Sequence, residues 1–122
     1  GYFIFVTIQL TSQQVTAEFL DSVYLISHSE KTKMTYQTAL NHFRKFSQSY
    51  YNLEELQVVS QIKSEELDLS QVIRNFVIYL DKKNIKAQGL RTYLSGVKGY
   101  LRHWGIRINS DDYKQMIKVP NI

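Results

Sequence analysis

The sequence predicts an all-α domain, a small bundle of four to five helices, and three observations carry that expectation. Apolar residues recur at steps of three and four over long segments, the period of one face of a helix. One proline and five glycines in 122 residues leave too few turn residues for a β sandwich or barrel. There is no cysteine, so neither a disulfide framework nor a thiolate metal site can stand in for a core. Hydrophobic residues at 43% and charged residues at 21% are ordinary for a soluble globular chain. No apolar run reaches the ~18 residues that a membrane span needs, so no membrane partner is expected. Gly1 in place of Met reads as the start of a fragment or a processed chain.

The elements follow in order. Residues 1–11, beginning GYFIFVTIQL, alternate weakly and are rich in β-branched and aromatic side chains, the pattern of a short strand or extended arm, or of a segment carried over from expression. The helical domain is expected over 12–120. Ser12 caps a first helix to about Ser27, with Val15, Phe19, Val23 and Ile26 on its buried stripe. Ser29 caps a second, from Glu30 to Ser49, burying Tyr36, Ala39, Leu40, Phe43 and Phe46. The acidic stretch from Tyr50 to Leu69 holds a short helix or turn around Leu53, Leu56, Val58 and Val59. Asp68 or Ser70 caps the next helix, whose stripe is Val72, Ile73, Phe76, Val77 and Leu80. Lys82 and Lys83 sit in its last turn, where cations suit the helix dipole.

The following helix, Lys86 to Gly105, organises the rest. Leu90, Tyr93, Leu94, Val97, Leu101 and Trp104 form its core stripe, and Trp104 is expected to bury against Phe43 or Phe76. Its opposite face carries Arg91, Ser95, Lys98 and Arg102 with no acid among them. Ser95, Gly96 and Gly99 between the two faces suit close approach to a phosphate backbone. Gly105 stops the helix. Ser110 then caps a short last helix, DDYKQMIK, before Pro120.

Charge is the functional signal. The net charge is only +4, but eleven of the fifteen basic residues fall in two windows, 31–50 and 82–110, that contain no Asp or Glu. A surface helix usually mixes signs, because opposite charges at i,i+4 support each other. Segregation instead produces a patch with a field. The second helix lines up Lys31, Thr35, Thr38, His42 and Lys45 on one face, hydroxyls and bases that together suit phosphates and base edges. Lys33 and Lys86 belong to the same windows. The expected partner is therefore double-stranded DNA, contacted by Lys31, Lys33, Thr35, Thr38, His42, Lys45, Lys86, Arg91, Ser95, Lys98 and Arg102.

Catalytic signals are missing. His28, His42 and His103 have no H-x-x-x-H spacing, and there is no Gly-x-Ser-x-Gly turn or glycine-rich phosphate loop. Tyr36, Tyr79, Tyr93 and Tyr100 read as packing residues with a polar tip. No metal, cofactor or small-molecule substrate is expected.

The order of motifs resembles a known family. FLDSVYLISHSEKTKMTYQTALNHFRKF looks like the opening two helices of the core-binding domain of tyrosine recombinases, the phage integrases, with Thr32 and Tyr36 where that family has its Thr and Tyr, followed by Leu40 and Phe43. VIRNFVIYLDKKNIKAQGLRTYLSGVKGYLRHWGI is similar to its third and fourth helices, and IRINSDDYKQMIKVP to the end of that domain, especially in archaeal integrases. Ala87, Gln88 and Gly89 depart from the Ser/Thr-rich start usual for the fourth helix. The resemblance implies a SAM-like fold whose second and fourth helices face the DNA major groove, and self-association with other protomers on DNA. It also implies a parent recombinase whose catalytic Arg, Lys, His-x-x-Arg and Tyr lie in a further domain; His103 and Arg107 are one residue too far apart for that motif. No catalytic residue carries over, so the chain itself is expected to be non-enzymatic, cytoplasmic, and nucleoid-associated when bound to DNA. The alternative is a protein-interaction module, since YQTALNHF resembles part of a tetratricopeptide repeat, although no second copy follows at the ~34-residue period.

Overall fold

A computed structural model describes residues 16–108, which form five α-helices and one π-helical turn, with no strand among the described residues. The described residues are all-α, as their periodicity dictates. Helix α1 covers 16–27, α2 Glu30–Phe46, α3 Glu55–Lys63, α4 Leu69–Lys82 and α5 Ala87–His103, with the π turn at Ser47–Tyr51 between α2 and α3. The arm at 1–11, the Ser12 cap, Val15 and the helix expected after Ser110 lie outside the described residues.

The caps are local and follow the sequence. Ser29 Oγ accepts the Thr32 N–H at 3.2 Å, and Asp68 Oδ2 accepts the Gln71 N–H at 3.1 Å, so Asp68, not Ser70, starts α4. At α3 the Glu54 N–H donates to Gln57 Oε1 at 2.9 Å. Gly105 ends α5 with φ +84°, a backbone that glycine adopts without strain. The expected end of α2 at Ser49 is altered: the α form stops at Phe46 and the backbone widens into the π turn, closed by Asn52 in the left-handed region at φ 57°. The wider turn lets Tyr50 and Tyr51 both reach Phe46, with ring centroids 5.4 and 5.6 Å away.

The core lies where α2, α4 and α5 meet. Phe43, Phe46 and Phe76 are fully buried and in mutual ring contact, and the whole expected α4 stripe is buried with them. From α1, Phe19 and Leu20 join this core. Ile26 does not. It is 82% exposed, because α1 packs through Phe19 and Leu20 and the residues of its last turn are exposed. Trp104 is only half-buried, and its ring neighbours are Tyr100 and His103 rather than Phe43 or Phe76. Position 104 follows the last helical residue of α5, beyond the aromatic centre of the core.

The closest packing joins α2 to α5. Gly96 is buried, and a Cβ built there would lie 2.6 Å from Ala39 Cβ; at Gly99 it would lie 3.1 Å from Tyr36 Cε1. These glycines do not offer an approach to a phosphate backbone. They admit α2, and only residues without a side chain let the two backbones cross so closely.

Candidate nucleic-acid interface

The α2–α5 crossing brings the acid-free face of α2 against the start of α5. An open groove of about 640 Å³ is lined by Lys31, Met34, Thr35 and Thr38 from α2. Lys86, Gln88, Gly89, Thr92 and Tyr93, at the start of α5, line its other side. Four of the residues expected at the interface therefore share one concavity: Lys31, Thr35, Thr38 and Lys86. Met34, Gln88, Thr92 and Tyr93 join them without having been foreseen. The available signal was spacing, since 88 and 92 lie at i,i+4 and 92 and 95 at i,i+3 on the edge of the basic face.

His42 sits beside this groove. Its imidazole packs on Tyr93 with ring centroids 4.7 Å apart and planes inclined at 39°. Desolvation holds its pKa below the ordinary histidine value, and the nearby charges of Lys45 and Lys83 lower it further. Lys83 is thus a further member of the cationic surface. Its ammonium lies 5.0 Å from the Tyr79 ring centroid, in cation–π range. Its place in the second acid-free window was the clue to it.

The remaining expected residues divide. Arg91, Ser95 and Arg102 are exposed along α5, continuing the basic stripe away from the groove. Lys45 is exposed on α2. Lys98 is half-buried and interacts with another part of the chain. Lys33 has an acidic partner. Its Nζ donates to Asp21 Oδ1 on α1 at 3.3 Å, because position 33 falls on the α1 side of α2. Among the described residues no carboxylate pairs with Lys31, Lys45, Lys86, Arg91 or Arg102.

The hydroxyls are also differently engaged from the expectation. Thr35 donates to the Lys31 carbonyl, Thr38 to that of Met34 and Thr92 to that of Gln88, each at 2.9 Å. A hydroxyl has one hydrogen, so in this arrangement none of the three can donate to a phosphate oxygen.

Among the described residues no group of three or more His, Asp or Glu is placed to hold a metal ion. No described helix is long and apolar enough to cross a membrane. Tyr100 is fully buried with its hydroxyl 3.4 Å from Thr16 Oγ1, and burial pushes its pKa up, which disfavours the phenolate. No protein-family model, curated protein or solved structure matches the chain.

Proposed function

We propose that this chain binds double-stranded DNA along the α2–α5 face, as the non-catalytic, DNA-holding part of a tyrosine recombinase. One observation carries the reading: helices α2 and α5, which hold the two acid-free windows found separately in the sequence, cross each other and line a single groove with lysines on both sides. Lys31, Lys45 and Lys83 extend along one flank, and Lys86, Arg91 and Arg102 along the other. Cations without carboxylate partners release counterions when they meet phosphates, which drives association and makes it salt-dependent. The resemblance to integrase core-binding domains supplies the recombinase context. Self-association on DNA would draw on exposed apolar side chains such as Leu25 and Ile26, which are 67% and 82% exposed in the last turn of α1.

A titration against duplex DNA at several salt concentrations tests the reading. Log K should fall linearly with log salt, by roughly 0.9 in slope for each phosphate contacted. Reversing Lys31, Lys45, Arg91 and Arg102 to Glu should weaken binding and flatten that slope with helicity intact, since all four side chains are exposed. Unchanged affinity and slope in that variant would exclude this surface. No duplex binding even at low salt would exclude DNA.

A further inference from the structure

The floor of the groove is apolar although its residues look polar in sequence. Thr35, Thr38 and Thr92 turn their hydroxyls back onto their own helices, each 2.9 Å from the carbonyl four residues earlier. An oxygen bonded in this way lies back against the helix, and the stiff β-branched side chain then offers its γ-methyl outward. Met34 lines the same groove, 63% exposed, a flexible and polarizable side chain that adapts to an apolar partner. Lys31 and Lys86 stand at the sides of the same groove. A surface of methyls and a thioether between two cations fits an apolar group carried next to anions.

Duplex DNA carries one such group. Of the four base-pair orientations, the C5-methyl of thymine is the apolar feature the major groove presents, a few ångströms from flanking phosphates. We infer that the α2–α5 groove reads thymine methyl groups, giving the chain a preference for sites rich in A·T pairs, with Lys31 and Lys86 held by the adjacent phosphates. The inference rests on the DNA-binding reading above and deepens it from general affinity to a chemical preference. It also replaces the read-out by threonine hydroxyls that the residue types alone suggested, since their hydrogens are committed elsewhere.

Deoxyuridine provides the test, because it pairs as thymidine does and lacks only the methyl. The chain is titrated with a short duplex of alternating A and T, and with the same duplex carrying deoxyuridine at every T. Affinity should drop about fourfold for each methyl contacted, the equivalent of one buried methyl(ene) group. A G·C duplex carrying 5-methylcytosine, which places a methyl at the corresponding position, should bind more tightly than its unmethylated counterpart. Met34→Ala, at an exposed position that does not endanger folding, should shrink the thymidine-to-deoxyuridine ratio toward one. Lys86→Ala should weaken both duplexes by the same factor and keep the ratio. Equal binding of the thymidine and deoxyuridine duplexes by the unaltered chain overturns the inference while leaving DNA binding in place. Failure to bind either duplex at low salt overturns the DNA-binding reading, and this inference with it.

Discussion

The two flanks of α2 carry similar residue types and put them to opposite uses. On the flank toward α1 and α3, Thr16, Gln37, Asn41, Arg44 and Glu55 line a pocket of about 330 Å³, and Lys33 pairs with Asp21. There every basic residue has an acid nearby. On the flank toward the start of α5, Lys31, Lys45 and Lys86 have no described carboxylate partner, and His42 sits among cations. Burial pushes one group on each flank toward its neutral form, and the neighbours that add to the push differ: an acid, Glu54, beside Glu55, and cations beside His42. Burial raises the pKa of Glu55 on the first flank, and burial with Lys45 and Lys83 lowers that of His42 on the second. A basic residue on a helix is thus uninformative until the side it faces is known. What separates structural from ligand-directed cations here is the company each keeps.

The largest expected effect comes from breaking the crossing on which both flanks depend. Gly96→Val places side-chain carbons where even a Cβ would lie 2.6 Å from Ala39 Cβ, and neither helix backbone can yield without moving the core. Overpacking of this kind costs about 1–3 kcal/mol, against a gain of at most about 1 kcal/mol from removing glycine in a helix. The melting temperature should fall by about 4–8 °C for each net kcal/mol lost, and duplex affinity should fall with it, since α2 and α5 no longer share a face. A variant with unchanged melting temperature would mean that the helices are not in contact at Gly96.

A smaller effect, confined to the inner flank, is expected at Glu55. This carboxylate is 8% exposed and its Oε2 has no hydrogen-bond partner. Desolvation is the main cause of its raised pKa; Glu54 adds to it and Arg44 opposes it. The sign follows from linkage. A carboxyl whose folded pKa lies above its unfolded value binds more protons when folded, so its stabilisation is complete below the ordinary carboxylate pKa and is lost as pH rises through the folded value. Glu55→Gln should remove that loss and raise stability at neutral pH by about 1 kcal/mol, the low end of the cost of a buried unsatisfied polar group. The comparison is a pair of thermal melts at pH ~3.5 and ~7.5, below and above the ordinary carboxylate range. DNA affinity should not change. Destabilisation at neutral pH would show that Glu55 holds Arg44 in a stabilising pair.

Much of this fold was legible because helix periodicity is local. Every member of the Val72, Ile73, Phe76, Val77 and Leu80 stripe is buried, and Ser29 and Asp68 cap where their spacing says they should. The acid-free windows identified Lys31, Thr35, Thr38 and Lys86, which line one groove. What escaped the sequence depends on which helix faces which. Gly96 and Gly99 were equally compatible with a phosphate or with a neighbouring helix until Ala39 and Tyr36 were found against them. Lys33 differs from Lys31 only in angle around α2, yet that angle turns it toward Asp21. Nor does residue type report a rotamer, and the rotamer converts three threonines from hydroxyl donors into methyl surfaces.

The smallest and most selective effect is expected on the outer flank, at His42. In the free chain this imidazole is half-buried against Tyr93 and faces the charges of Lys45 and Lys83, so it is held neutral further below neutrality than an ordinary histidine. A folded pKa depressed in this way means that the folded chain binds fewer protons than the unfolded one, and stability falls as pH drops through the ordinary histidine value. Binding DNA should reverse the local balance. Phosphates brought to Lys45 and Lys83 cancel part of the field that disfavours the imidazolium, the pKa rises, and a proton is taken up on binding. Duplex affinity should therefore increase several-fold from pH ~7.5 to ~6, the range in which histidine titrates. His42→Gln, which keeps a polar side chain of similar reach, should flatten that dependence while leaving affinity at the upper pH nearly unchanged. If the pH dependence survives in the variant, the proton belongs to another group, and His42 serves only to pack Tyr93 at the edge of the groove.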